Sequence, residues 1–155
     1  MTIDIEQSLK AMGLAWPQPP KPVASYVPAV RSGSLLFISG QLPLKDGALL
    51  VAGKVPSAVP LERAQAAAAQ CALNAMAIVR AELGGDWSRL VRIVRVGVFI
   101  ECDDGFTEQA RVANGASDFL VKLLGEAGRH ARTTLGMCAL PLNTPVELEM
   151  ILEVR

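Results

Sequence analysis

Histidine occurs once in this chain, at position 130, and no two cysteines stand in a C-x-x-C arrangement. A cage of imidazoles and thiolates for zinc is therefore out of reach, and no metal is expected. One imidazole beside Arg129 and Arg132 makes no catalytic triad, because a serine nucleophile needs a base, an orienting acid and an oxyanion hole. Net charge is lacking too: 15 Lys and Arg balance 15 Asp and Glu. That leaves no basic footprint for a phosphate backbone, so no nucleic-acid partner is expected. No run approaches the roughly 18 uninterrupted apolar residues of a membrane span. The N-terminus carries Asp4 and Glu6 where a secretory leader would be cationic and then apolar, so a cytoplasmic location is expected. Cys71, Cys102 and Cys138, odd in number and set in apolar segments, read as reduced core residues. "FISGQLP" lacks the G-x-S-x-G of a nucleophile elbow, and "GEAGRH" follows a helix, where a phosphate loop would follow a strand.

What remains is an apolar chain, 51% hydrophobic and 19% charged, long enough for one core. Residues 1–22 read as an N-terminal extension ending in the Pro-rich connector "WPQPPKP", with a short amphipathic helix over 3–12. Residues 23–155 read as one domain. Two strands, 23–30 and 34–39, flank the turn "RSGS"; "KDGALLVAGKVP" is a loop or a small hairpin on Asp46-Gly47. "LERAQAAAAQCALNAMAIVRAEL" (61–83) has helical period and composition, with Pro60 before it and Gly84-Gly85 after. A long central strand (89–101), a second helix (106–124), a strand from Arg132 to Leu140 and the strand "VELEMILEV" follow. A short Pro-bounded turn is expected to make those last two strands antiparallel neighbours. In "VELEMILEV", Val146, Leu148, Met150, Leu152 and Val154 share one face, and Glu147, Glu149, Ile151 and Glu153 the other. The fold class is α+β: a mixed sheet with two helices packed on one face. The sheet carries more apolar surface than two helices on one side cover, which points to self-association.

"HARTTLG" places Arg132 where a loop becomes a strand. It is either a surface arginine paired with a carboxylate or a guanidinium fork that grips a substrate carboxylate bidentately. Glu149 is either a solvated carboxylate or, in a partly dry cleft, a group that activates water. His130, the lone histidine, reads as structural.

"SYVPAVRSGSLLFISGQLP", "VRIVRVGVFIECDDGF" and "HARTTLG…ALPLNTPVELEMILEV" together resemble the reactive intermediate deaminase family (Rid, YjgF-like, also described as endoribonuclease L-PSP-like), in a longer, less characterised branch. The resemblance implies a chorismate-mutase-like fold of the bacillus type. It also implies homotrimers whose sheets face one another as a barrel, with sites in the clefts between subunits. The implied activity is cofactor-free hydrolysis of reactive enamine and imine carboxylates to 2-keto acids and ammonia. On this resemblance Arg132 binds the substrate carboxylate and Glu149 positions or activates the water. Tyr26, Ser39 and Gly40 line the cleft, Thr134 contacts the substrate through its backbone, and Asn114 matches a site asparagine if an insertion precedes it. A binding module for a 2-keto acid, without turnover, is the alternative; ribonuclease action ranks last.

Overall fold

A computed structural model describes residues 4–19 and 25–155. The chain begins with helix α1 (Ile5–Ala11), capped by the Asp4 side chain, which accepts from the Gln7 amide at 3.0 Å. Strands β1 (Ala29–Ser32) and β2 (Leu35–Gln41) flank a turn at Gly33, whose φ of 60° suits a residue without Cβ. Strands β3 (Leu44–Lys45) and β4 (Ala48–Leu49) form a small hairpin. Its turn residues Asp46 and Gly47 both have positive φ, as an Asp-Gly turn favours. Helix α2 (Leu61–Glu82), strand β5 (Leu90–Glu101), helix α3 (Gln109–Leu124), strand β6 (Ala131–Met137) and strand β7 (Val146–Val154) complete the fold.

The main sheet runs β1-β2-β7-β5-β6; every neighbouring pair is antiparallel except β5 with β6. Strand β7 is central, and its alternation decides the sidedness. Val146, Leu148, Met150, Leu152 and Val154 are buried, while the intervening Glu147, Glu149, Ile151 and Glu153 stay partly exposed. Burying each aliphatic side chain of this size contributes about 1.5–3 kcal/mol, so the helices cover that face and leave the other open. They supply Ala64, Ala68, Cys71, Ala75 and Ile78 from α2 and Val112, Phe119, Leu120 and Leu123 from α3. Gly115 of α3 lies against the Gln65 carbonyl of α2, where a side chain would collide. The Gln65 amide donates to Arg111 O at 2.8 Å across the same contact.

Several expectations need correction. The β6 and β7 strands are not neighbours: β5 lies between them. Their connection crosses the end of β5, held by the Glu101 amide donating to Pro145 O and by the Leu140 amide donating to the Glu101 carboxylate at 2.7 Å. Leu142 and Asn143 turn the chain there with φ of 58°. Strand β1 begins only at Ala29; residues 25–28 are not strand, and residues 23 and 24 lie outside the described residues. Pro28 donates no amide, but its carbonyl accepts from the Ser39 amide at 3.0 Å. Helix α3 starts at Gln109 rather than Phe106, because the Gln109 side chain folds back and donates to Phe106 O. Within β5, register shifts interrupt the alternation of faces, putting Ile93 in the core and exposing Val94. Cys71 and Cys102 are buried, but Cys138 is exposed. The short helix expected over 3–12 is present among the described residues as α1, and it adds to the two helices on the sheet by packing Ile5 and Leu9 inward.

Helix α1 is fastened by one carboxylate. Glu6 accepts from Trp16 Nε1 (2.7 Å), Trp87 Nε1 (2.9 Å) and Arg80 Nε (2.8 Å). The indoles stack tilted with centroids 5.4 Å apart. Burial pushes the Glu6 carboxyl up, but the bonds from Arg80, Trp87 and Trp16 outweigh it and hold the group below its ordinary 4.5. Its contribution is therefore present above that value and is lost as pH falls through the lower folded-state value. Glu6→Ala is expected to destabilise the protein by about 1–2 kcal/mol at neutral pH, and by less in acid. Urea melts followed by fluorescence of the only two tryptophans check this.

Candidate active site

The parallel register sets Arg132 beside Val96 and Thr134 beside Val98. Those valines face the helices, so Arg132 points to the helix side at the sheet's edge. There its Nη1 donates to Asn114 Oδ1 and Ser117 Oγ, each at 3.0 Å, and Nη2 donates to Ala110 O at 3.3 Å. Three acceptors from one face of α3 thus hold the fork, and no carboxylate of the described residues lies within salt-bridge distance of it. The remaining guanidinium hydrogens are available to a ligand. Thr134 Oγ1, two residues on and on the same side, is buried with no hydrogen-bond partner among the described residues. Such a hydroxyl costs about 1–3 kcal/mol unless something satisfies it.

His130 extends this network. Its Nδ1 lies 2.6 Å from Gly128 O and its Nε2 lies 3.0 Å from Ser117 Oγ. A carbonyl only accepts, so Nδ1 carries the proton, and in the neutral ring Nε2 accepts from the Ser117 hydroxyl. Burial lowers the imidazole below its ordinary 6.5; the Gly128 carbonyl opposes this and the Arg132 charge adds to it.

The other candidates lie on the open face. Glu149 stands across from Gly97, where a Cβ would come within 2.9 Å of its Cγ and Oε1. Arg95 donates to Glu149 from Nη1 at 3.3 Å. A cavity of about 280 Å³ holds Ser39 and Glu149 together with Val27, Val30, Phe37 and Ile151. The Ser39 hydroxyl donates to Pro28 O at 3.2 Å, and the bulge after Ile38 is tied down by the Gln41 amide, which donates to the carbonyls of Ser39 and Gly40. Tyr26 is exposed. Gly40 packs directly on the Glu147 carboxylate, with no room for a side chain between.

Two groups of residues therefore emerge. Arg132, Asn114 and Thr134 lie together on the helix side; Ser39, Gly40 and Glu149 lie together on the open side. Within one protomer the sheet separates them.

A family model described as "YjgF/chorismate mutase-like, putative endoribonuclease" matches residues 6–154. The chain belongs to the YjgF/chorismate mutase-like family. Protein TCP17 of Trypanosoma cruzi is 38% identical to this YjgF-like chain over 97% of it and 94% of that protein. The crystal structure of Atu1372 from Agrobacterium tumefaciens, a protein of unknown function, superposes with TM-score 0.90 at 43% identity, covering 97% of this chain and 91% of that one. A "putative endoribonuclease" from Shewanella oneidensis superposes with TM-score 0.93 at 31% identity, covering 97% and 99% of the two chains.

Two residues of this YjgF-like chain enter that the sequence did not single out. Glu147 is half-buried and bonded to none of the described donors. Burial, and then the nearby Glu149 charge, raise its carboxyl above the ordinary 4.5. A group so shifted suits proton transfer better than one held in an ion pair, as Glu149 is. Both glutamates were legible on one face; the register that gives Arg95 to Glu149 was not. Ser117 was visible only as the residue one helical turn after Asn114. Among the described residues no group of three His, Cys, Asp or Glu side chains could hold a metal ion. None of the described helices is long and apolar enough to cross a membrane.

A raised carboxyl is a stability statement. Glu147 favours the fold while protonated, below 4.5, and that contribution disappears as pH rises through its higher folded-state value. Glu147→Gln is therefore expected to be more stable than the parent at neutral pH, with the gap closing in acid. Urea midpoints at both pH values test this; a less stable variant at neutral pH would contradict it.

Proposed function

We propose that this protein hydrolyses small reactive imine and enamine carboxylates to 2-keto acids and ammonia, without a cofactor, at sites shared between copies in a homotrimer. The observation that carries this reading is Arg132. Its guanidinium is held from one side by Asn114, Ser117 and Ala110 O and has no carboxylate partner among the described residues, the arrangement of a fork waiting for an external carboxylate. The unpaired Thr134 hydroxyl beside it supports the same view.

In the reaction, water adds to the imine carbon of R–C(=NH)–COO⁻ as a base takes its proton and passes it to the imine nitrogen. The resulting amino alcohol expels ammonia, and the 2-keto acid remains. The imine carbon is already electrophilic, so holding the carboxylate, presenting water and moving protons are sufficient. Arg132 takes the carboxylate, with Asn114 fixing the guanidinium and Thr134 flanking it. Glu147 takes the water's proton, with burial and then the Glu149 charge beside it keeping its carboxyl high. Ser39, Gly40 and Tyr26 line the water's side. Since the two groups of residues face opposite sides of one sheet, a complete site on this reading joins Arg132 of one copy to Glu147 of another. The exposed Phe37, Val30 and Leu135 give the sheet apolar surface to bury in such an assembly.

A binding module for 2-keto acids is the second reading, favoured by the Arg95–Glu149 pair, which occupies one of the two carboxylates on the open face. Ribonuclease action, the word in the family's description, has no support in a chain of zero net charge.

The decay of freshly generated 2-iminobutanoate, trapped as its semicarbazone, distinguishes these. The parent is expected to accelerate it, Arg132→Ala to abolish the acceleration, and Glu147→Gln to reduce it by about 10²-fold or more. Glu149→Gln is expected to have a smaller effect than Glu147→Gln; the reverse order would return the water-activating role to Glu149. Full activity in Arg132→Ala would overturn the reading. Binding of 2-oxobutanoate without any acceleration would favour the module.

A further inference from the structure

From the hydrogen-bonded chain that joins Arg132 to the lone histidine, we infer that Ser117 and His130 are positioning residues for the guanidinium and that a carboxylate bound at Arg132 is taken up together with a proton on His130. The inference rests on the reading of Arg132 as a carboxylate site and adds two residues that the resemblance does not assign.

The chain of donors has one direction. Arg132 Nη1 donates to Ser117 Oγ at 3.0 Å, the Ser117 hydroxyl donates to His130 Nε2 at 3.0 Å, and His130 Nδ1 donates to Gly128 O at 2.6 Å. The ring is thus fixed at both nitrogens, and Ser117 is fixed between a cation and a base. The guanidinium cannot swing toward solvent without breaking its bonds to Ser117 and Asn114. That fixes the direction in which its remaining N–H groups point.

Protonating His130 changes Nε2 from acceptor to donor. The Ser117 hydroxyl must then turn, and its oxygen accepts from both the imidazolium and the guanidinium. Two cations flank one oxygen, which disfavours that state until an anion offsets the charge. A carboxylate on Arg132 does so. Proton and carboxylate therefore assist one another, and linkage makes the effect reciprocal.

Other charges around the ring do not share this role. Glu126 pairs with Arg129 in the turn before His130, Arg111 pairs with Glu108 at the start of α3, and Arg95 of β5 pairs with Glu149 on the opposite sheet face. Asp118 and Lys122 of α3 are exposed. Arg132 is the charge that acts on the imidazole.

A single histidine gives a single set of imidazole resonances, so its titration by NMR in the whole protein is unambiguous. The first arm uses no ligand. Arg132→Ala is expected to move the His130 titration upward, because the neighbouring cation is gone. Arg132→Lys, which keeps a charge there, should move it less. An unchanged titration in Arg132→Ala would overturn the wiring. The second arm adds 2-oxobutanoate, expected to shift the His130 titration upward in the parent and not in Arg132→Ala. Ser117→Ala and His130→Gln are expected to weaken 2-oxobutanoate by about ten-fold, the size of one net hydrogen bond. In His130→Gln the tightening of affinity as pH falls toward 5 should also be lost.

The failures are distinct. If 2-oxobutanoate binds through Arg132 but leaves the His130 titration and the two variants' affinities unchanged, the inference falls and the carboxylate site stands. If Arg132→Ala binds it as tightly as the parent, or the parent does not bind it, the carboxylate site falls and takes the inference with it.

Discussion

The register of β5 against its two neighbours is the constraint on which the rest of the structure depends. Val96, Val98 and Ile100 must lie under the helices, and that requirement turns Gly97 and Phe99 to the open face. Through β5, the alternation is transmitted to both sides at once. Gly97 makes room for Glu149 of β7, while Val96 brings Arg132 of β6 to the helix side. A one-residue slip of β6 would turn Arg132 out to the open face and remove it from Asn114 and Ser117. The opposed placement of guanidinium and carboxylates thus follows from how the core is filled, before any chemistry is considered.

The sequence displayed whatever rests on local period. The alternation of "VELEMILEV" assigned both faces of β7 correctly, the Ala-rich run announced α2, and Asp46-Gly47 marked a turn that fitted a loop or the β3–β4 hairpin the structure forms. What escaped it depends on partners distant in the chain. A short link between β6 and β7 suggested neighbours, yet β5 takes the place between them, because a Glu101 carboxylate and two positive-φ residues let the link step across its end. The shifted register inside β5 is likewise invisible in a run where nearly every residue is apolar.

The candidate site divides in the same manner. Arg132 was legible as a residue type out of place at a strand's beginning, but its three acceptors on α3 were not. Ser117 and Ala110 become neighbours of Arg132 only once Gly115 lets α3 settle against α2. Glu147 and Glu149 are alike in sequence and differ through their contacts: Gly40 and burial for Glu147, the Arg95 guanidinium for Glu149. The chain's position in the YjgF/chorismate mutase-like family accounts for the architecture, and the activity is argued from the residues.

The central claim is that a working site takes Arg132 from one copy and Glu147 from another. Mixing an inactive and a strongly impaired variant tests it most directly: Arg132→Ala and Glu147→Gln, unfolded and refolded together, then assayed on 2-iminobutanoate. Random assembly should restore about a quarter of the parental rate, because some interfaces then combine an intact arginine with an intact glutamate. No recovery from a mixture shown to contain mixed assemblies would contradict the claim and confine each site to a single copy.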